Sequence, residues 1–309
     1  MESVSNKKRV LGLLCALLAT TIWAGNYPVS RLLFNGTGAE NLDEWWTAFL
    51  RSSLGIFVML PVSLCVKEGS WKDFGRQWKA DWKMFVFLSG CCVAENVICF
   101  VALKYTTSAR ASLMANASPL FTLLISVLAA KEVFTGRKIL GLLMGLAGII
   151  LTASSKGGDA FSNGLSMLLG DLLALVSGVF WAFFTVFGSN VASRYNGAFC
   201  TALYRFGGMF FMIPVLIYFK SRISFDFTPS VWCGLAYLSV VSSGLAVWLW
   251  SAAQRYVEPG VLGSFGYLGA LFAAGFSLIF LKERISVSFV LAFCLILGGM
   301  ALVIRRKEA

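Results

Sequence analysis

The sequence predicts an all-α integral membrane protein with ten transmembrane helices, arranged as two inverted five-helix repeats. The first supporting observation is composition: 58% of the 309 residues are hydrophobic and 13% are charged, and the mean hydropathy is +0.78. A soluble domain does not tolerate so apolar a composition. The second is that the apolar runs are roughly 20 residues long, enough to cross a bilayer as helices. The third is that sequence signals recur in the same order in the two halves.

Apolar runs separated by polar residues define the ten predicted spans. The short connections after the fourth and ninth spans require antiparallel helical hairpins. Lysine and arginine are about twice as frequent at the span ends that share the side of the N-terminus, which predicts a multi-pass protein of the cell inner membrane with both termini cytoplasmic. The predicted spans are residues 10–33, 46–66, 84–103, 110–130, 138–154, 167–191, 199–219, 231–252, 260–281 and 286–304.

The two halves of the chain repeat each other. At one constant offset, residues 102–105 align with 253–256, and Lys131 and Glu132 align with Lys282 and Glu283. At slightly larger offsets, Trp23 and Ala24 align with Trp181 and Ala182, and Arg51 aligns with Arg205. The repeats are predicted at residues 10–154 and 167–304. Because each holds an odd number of spans, the second copy is inverted in the membrane, as in many secondary transporters.

Composition and motifs also exclude classes of function. The chain has no histidine, which excludes catalytic triads and zinc sites that need imidazole. It has no Walker loop for nucleotide hydrolysis. The eight cysteines form no CxxC pair, and the net charge of +11 comes from residues that flank spans. We therefore expect no catalytic residues, metal, cofactor or nucleic acid, and the lipid bilayer and a small-molecule substrate as partners. An intramembrane enzyme is a remote alternative.

Glu95, followed by Asn96, is the carboxylate that stands inside an apolar span. A charge at that depth costs about 2.5 kcal/mol or more, so such residues usually face a cavity or a partner. Glu95 is therefore predicted to bind a substrate amine or a coupling proton. The alternative is a structural carboxylate paired with an arginine of another helix.

Two arginines, Arg51 and Arg205, also lie inside spans. They are predicted either as gate or packing charges, or as anchors for a substrate carboxylate. Aromatic rings and neutral polar groups at similar depth are candidate walls of a substrate cavity, with helix packing as the alternative for each. These candidates are Trp23, Asn26, Asn116, Trp181, Trp248 and Tyr267.

Small residues and prolines indicate close packing and hinges. Glycines on the fifth and tenth spans predict close helix contact, either within the monomer or between the protomers of a homodimer. Prolines inside spans predict kinks, and the run of Ser242, Ser243 and Gly244 in the eighth span is a further hinge candidate. The glycines are Gly141, Gly145, Gly148, Gly298 and Gly299, and the prolines are Pro28, Pro61, Pro119 and Pro214.

Several of these segments together resemble the drug/metabolite transporter superfamily, specifically its EamA-type exporters. The matching segments are residues 19–26, residues 170–175 with 180–182, the two intraspan arginines, residues 102–105 and 253–256, and the two Lys-Glu turns. The turns depart from the commonest pattern, because Val133 and Arg284 stand where a proline often follows the glutamate. Glu95 and Asn96 do not belong to the family motif.

The resemblance implies a ten-helix bundle with helices one to four of each half around a central cavity and the fifth and tenth outside it. Family members move amino acids, other small metabolites or drugs, generally outward across the inner membrane. We therefore expect export of a small metabolite, such as an amino acid, by alternating access. Efflux of cationic or aromatic drugs is the alternative, and drive by a proton gradient and facilitated flux both stay open.

Overall fold

The computed structural model describes residues 6–26, 29, 33, 44–65, 71–103, 105, 114–129, 131, 133, 135–154, 164–220, 225–281 and 287–304. Within these ranges the chain forms ten helices, numbered here in chain order. They are α1 Asn6–Ala24, α2 Glu44–Cys65, α3 Trp71–Leu103, α4 Ser118–Leu128, α5 Gly136–Ser154, α6 Gly164–Ala192, α7 Gly197–Tyr218, α8 Pro229–Gln254, α9 Pro259–Leu281 and α10 Val287–Ile304.

Five of the described helices are both long enough and apolar enough to cross a membrane. In lipid a helix is the favoured structure, because it satisfies every backbone N–H and C=O group within one segment. The five spans are Trp45–Cys65, Asp81–Cys99, Leu168–Ala192, Gly197–Tyr218 and Pro229–Gln254.

Local sequence signals explain where several helices begin. The Asn196 side chain accepts a hydrogen bond from the backbone N–H of Ala198 at 2.8 Å, which caps α7. At the start of α8, extended Thr228 is followed by Pro229, whose fixed φ suits the first helical turn. Pro119 likewise lies in the first turn of α4. A turn at residues 116–117 precedes it, and residues 106–113 lie outside the described part of the chain, so the kink expected at Pro119 stays a prediction.

Helix α8 changes its hydrogen-bonding pattern in the middle. It is α-helical over Pro229–Ala236, π-helical over Tyr237–Leu245 and α-helical again over Ala246–Gln254. The π segment is 9 residues long, longer than the single turn in which π geometry usually appears. It contains Ser242, Ser243 and Gly244, the run that the sequence indicated as a hinge candidate.

The chain divides into two compact units, and each combines helices from both predicted repeats. The first unit, Met1–Val97 with Phe187–Tyr256, contains α1, α2, most of α3, α7 and α8. In it, α2 packs against α7 and the π segment, and α1 packs against the last part of α8. An apolar cluster that includes Leu50, Leu235 and Leu238 fills the contact between α2 and α8.

The second unit, Ile98–Val186 with Val257–Ala309, contains α4, α5, most of α6, α9 and α10. Here α5 packs against α10, and α4 packs against α9. A Cβ atom added to Gly141 of α5 would lie 2.5 Å from the carbonyl oxygen of Gly299 of α10. The close helix contact predicted from these glycines is confirmed, and it forms within one chain.

The helix bounds differ from the predicted spans at several ends. Helix α3 begins at Trp71, well before the predicted span at residue 84, because a helix can continue through polar residues beyond the apolar run. Helix α1 ends at Ala24, and Gly25 follows in a turn. Pro61 and Pro214 lie inside α2 and α7. Pro28 and the residues Glu132, Lys282 and Glu283 of the repeat lie outside the described residues.

Candidate functional site

Three charged side chains of the first unit lie within electrostatic range of one another, and we call them the Arg-Glu cluster: Arg51 on α2, Glu95 on α3 and Arg205 on α7. The charges that act on the Glu95 carboxylate are the guanidinium groups of Arg51 and Arg205. The two arginines also act on each other. The cluster thus holds two positive charges and one negative charge inside a helix bundle.

Arg205 is the most deeply buried member, with 6% of its surface exposed. It lies about 12 Å along α7 from the first residue of the helix. Its aliphatic carbons pack near Gly55 of α2, where an added Cβ atom would lie 3.7 Å from Arg205 Cδ and 2.8 Å from the Ser239 carbonyl oxygen. A glycine at position 55 therefore lets α2 approach both α7 and the π segment of α8.

Arg51 is half-buried and is fixed by the π segment. Its Nε donates a hydrogen bond to Ser243 Oγ at 3.0 Å, and Ser243 is buried. Glu95 is also half-buried. The amide nitrogen of Asn96 donates to the Cys92 carbonyl oxygen at 2.8 Å, one turn back in α3.

The π segment is where α8 bonds to α1 and α2. Trp23 Nε1 donates to the Ser242 carbonyl oxygen at 3.0 Å, and the Tyr237 hydroxyl donates to the carbonyl oxygen of Ile22 at 2.7 Å. Ser239 Oγ donates to the Leu50 carbonyl oxygen at 3.2 Å. A π segment displaces backbone carbonyl groups from the regular α-helical pattern, and π-bulges are frequent at functional sites.

Three more of the predicted site residues lie in the first unit. The Trp23 ring packs against Trp250 with centroids 5.2 Å apart. The half-buried Trp248 ring lies beside Gly197 at the start of α7, where an added Cβ atom would be 3.0 Å from Trp248 Cδ1. Asn26 is half-buried just after α1, and its Oδ1 has no hydrogen-bond partner among the described residues.

The other three predicted site residues lie in the second unit. The Tyr267 side chain is fully buried, and its hydroxyl donates to the Leu142 carbonyl oxygen at 3.1 Å, which ties α9 to α5. The half-buried Trp181 ring packs against Phe184 in α6, with centroids 5.4 Å apart. Half-buried Asn116 lies near Gly266 of α9. Their roles as cavity walls stay predictions.

The first unit also contains a polar group that the sequence did not indicate. Asp81 is buried in α3; the Tyr195 hydroxyl donates to its Oδ2 at 2.7 Å, and Arg194 Nη1 lies 2.6 Å from its Oδ1. Burial, followed by the hydrogen bond to the Asp81 carboxylate, raises the pKa of Tyr195. These contacts fasten the α6–α7 connection to α3.

The sequence raised a pairing of Glu95 with an arginine of another helix as an alternative, but it did not indicate that Arg51 and Arg205 both act on Glu95. The sequence feature that could have indicated the group is the presence of three charged residues inside spans. Charged side chains inside a membrane protein tend to pair with one another, because an isolated charge is costly to transfer from water into the membrane. Helices α2 and α7 also carry the two arginines at matching positions of the repeat. Helices α2 and α7 pack directly against each other, and the two arginines are within electrostatic range.

The sequence profile of the EamA-like transporter family matches this chain twice, over residues 10–154 and 168–305. The chain belongs to the EamA-like transporter family. The resemblance drawn from its motifs is thereby confirmed. This EamA-like protein is a multi-pass membrane transporter rather than an enzyme.

Similar proteins agree with this assignment. An uncharacterized transporter of Archaeoglobus fulgidus is 31% identical over 87% of this EamA-like chain and 89% of its own. The aromatic amino acid exporter YddG of Ancylobacter novellus is 26% identical, over 71% of this chain and 75% of its own. A solved structure with 21% identity matches with a TM-score of 0.79 and covers 96% of this chain and 99% of that one. The likeness in structure confirms the predicted ten-helix membrane fold.

Proposed function

We propose that this EamA-like transporter exports a small metabolite, such as an amino acid, across the cytoplasmic membrane by alternating access. The observation that carries the proposal is the Arg-Glu cluster. Charged side chains within a membrane bundle are costly, and they mark the paths of substrates and ions. The name of the Ancylobacter novellus relative, an aromatic amino acid exporter, supports an amino acid as the solute.

Glu95 is the member of the cluster that suits a cationic group. Its carboxylate on α3 can accept the ammonium group of an amino acid or a coupling proton. The two roles predict different behaviour. A carboxylate that only binds ammonium sets the affinity for the solute, whereas a carboxylate that carries the proton makes flux respond to a pH gradient.

Efflux of cationic or aromatic drugs is the second candidate, and one observation favours it. The Trp23 and Trp250 rings pack together in the first unit, and ring faces attract cations. The charge of the Arg-Glu cluster opposes it, because two guanidinium groups and one carboxylate give a net positive site. A solute whose charge is only positive is therefore a poorer fit than an amino acid.

The basic residues at the span ends support the placement proposed here. Lysine and arginine are enriched on the side of the N-terminus, so both termini face the cytoplasm of the cell. Outward movement then takes the solute from the cytoplasmic side to the opposite side of the membrane.

The test is uptake by liposomes that contain the purified full chain. Labelled amino acids, nucleosides and an aromatic cation are supplied one at a time, with and without a pH gradient. The wild type is compared with Glu95→Gln, which keeps the size of the side chain and removes its charge. Asp226→Asn is the matched control, because Asp226 is an exposed carboxylate of the same unit.

We expect uptake of at least one amino acid, strongly reduced in Glu95→Gln and unchanged in Asp226→Asn. Loss of the response to the pH gradient in Glu95→Gln, with residual flux, assigns the coupling proton to Glu95. Uptake of the aromatic cation without any amino acid would replace the proposal by drug efflux. Flux with the same rate and pH dependence in Glu95→Gln and the wild type would remove Glu95 from the mechanism.

A further inference from the structure

Arg205 is a buried cation whose hydrogen bonds are incomplete. A guanidinium group carries five N–H donors, and Arg205 is 6% exposed. Its Nε has no hydrogen-bond partner among the described residues. The charged groups that act on it are Glu95, which attracts it, and Arg51, which repels it. A buried charged donor left without an acceptor is expensive, so the site suits an acceptor from outside the chain.

The internal repeat explains why Arg205 and Arg51 differ. At the offset that aligns Ala102 with Ala253, Cys92 of α3 aligns with Ser243 of α8. Arg51 donates from Nε to the Ser243 hydroxyl at 3.0 Å. Its counterpart Arg205 is within electrostatic range of Cys92, but a thiol is a weak acceptor and Arg205 Nε has no hydrogen-bond partner among the described residues. The Nε donor of Arg51 therefore has a hydroxyl acceptor, whereas the Nε donor of Arg205 has no acceptor in the part of the chain that the structure describes.

The surroundings of Arg205 hold it ready for an anion. Its aliphatic carbons are packed at Gly55, which fixes the direction of the side chain. The Arg-Glu cluster has one positive charge more than Glu95 can neutralise. A planar guanidinium matches a carboxylate with two parallel hydrogen bonds, which a lysine cannot reproduce.

We propose that Arg205 forms an anion subsite that binds the carboxylate of the transported solute. The proposal rests on the proposed function and deepens it: the solute must carry an acidic group, and an amine alone does not suffice. An inorganic anion or a lipid phosphate shares this chemistry. The experiment below distinguishes these sources.

The test measures binding without transport. The full chain is placed in nanodiscs of phosphatidylcholine, which has no net charge, and titrated by calorimetry with 3-phenylpropionate, 2-phenylethylamine and L-phenylalanine. These probes carry the acid, the amine or both on a similar frame. Sodium chloride, inorganic phosphate and nanodiscs with added phosphatidylglycerol serve as competitors.

Two variants alter the subsite in different ways. Arg205→Gln removes the charge, and Arg255→Gln is its control because Arg255 is an exposed arginine of the same unit. Cys92→Ser keeps every charge and offers Arg205 the hydroxyl that Ser243 gives Arg51. Cys91→Ser is its control, because Cys91 is the buried neighbouring thiol.

We expect the acid and L-phenylalanine to bind and the amine to bind at least tenfold more weakly, roughly the effect of a hydrogen bond to a charged group. Arg205→Gln should weaken binding of the acid about tenfold or more, and Cys92→Ser about fivefold through competition for the guanidinium. Both controls should bind as the wild type does. A folded Cys92→Ser protein tests the subsite even where Arg205→Gln does not fold.

Equal affinity for acid and amine, or no binding of either acid, would overturn the subsite. So would unchanged binding of the acid in Arg205→Gln and Cys92→Ser. Binding of chloride, phosphate or phosphatidylglycerol without binding of the carboxylates would show another anion in place of the solute. Binding of the acid that depends on Arg205, without flux in liposomes, would retain the subsite and refute export instead.

Discussion

The contact between α5 and α10 predicts a large effect for a single methyl group. Gly141 and Gly299 face each other, and a Cβ atom on Gly141 would lie 2.5 Å from the Gly299 carbonyl oxygen. The obstructing atom belongs to the backbone of α10, so no side-chain rotation can relieve the clash. Gly141→Ala must therefore separate two helices that pack along each other within one compact unit.

The magnitude follows from the distance. An ordinary contact between carbon and oxygen is about 3.4 Å, so the helices must part locally by roughly 0.9 Å, and dispersion energy is lost along the whole contact. Overpacking of this kind costs about 1–3 kcal/mol. Alanine regains up to about 1 kcal/mol of helix propensity over glycine. We expect a net decrease of about 1–2 kcal/mol in the free energy of unfolding.

The measurement is unfolding of the full chain in mixed detergent micelles, followed by tryptophan fluorescence. Gly136→Ala is the matched control, because Gly136 begins the same helix and an added Cβ atom there has no neighbour within 4 Å. Gly136→Ala should be as stable as the wild type or slightly more so. If Gly141→Ala were as stable as Gly136→Ala, the close contact of α5 and α10 would be wrong.

Two further predictions concern groups outside the membrane-spanning segments. Tyr195→Phe removes the hydrogen bond to the buried Asp81 carboxylate and should lower the free energy of unfolding by about 2 kcal/mol; equal stability to Tyr218→Phe, a change at an exposed tyrosine, would contradict this. Burial lowers the pKa of Lys131, whose Nζ donates to the Val186 carbonyl oxygen, to about 8. Between pH 8 and about 10.5 the folded protein therefore binds fewer protons than the unfolded chain. The free energy of unfolding of the wild type should rise over this range relative to that of Lys131→Met. Parallel curves of this free energy against pH for the two proteins would contradict the burial of Lys131.

Hydrophobic runs predicted the helices well because a bilayer demands both length and apolarity from a spanning segment. The close packing of α5 against α10 was equally predictable, since glycines one turn apart on one helix face allow close backbone contact. Both signals are local in sequence. The helix ends were less predictable: α3 begins at Trp71, where no change in apolarity marks the start.

The π segment of α8 could not be predicted from hydropathy, because the change lies in backbone hydrogen bonding and leaves the apolar pattern intact. Ser242 and Ser243 suggested a hinge, but their partners, Trp23 and Arg51, are distant in sequence. The membership of the Arg-Glu cluster was also difficult to predict, because its three residues are distant in sequence. Its members lie on three helices, and the hydropathy pattern does not show that α2 packs against α7.

The two copies of the duplicated sequence differ at positions near the Arg-Glu cluster. The repeat places an arginine on both α2 and α7, and two facing cations repel unless other groups compensate them. Position 95 carries a glutamate in the first copy, and its counterpart in the second is Ala246, so the Arg-Glu cluster contains one carboxylate and two guanidinium groups. The Ser243 hydroxyl accepts a hydrogen bond from Arg51 Nε. Cys92 stands at the corresponding position, and Arg205 Nε has no hydrogen-bond partner among the described residues. Divergence at these two pairs of positions is the basis of the anion subsite proposed above, in which a solute carboxylate would supply both the missing negative charge and the missing hydrogen-bond acceptor.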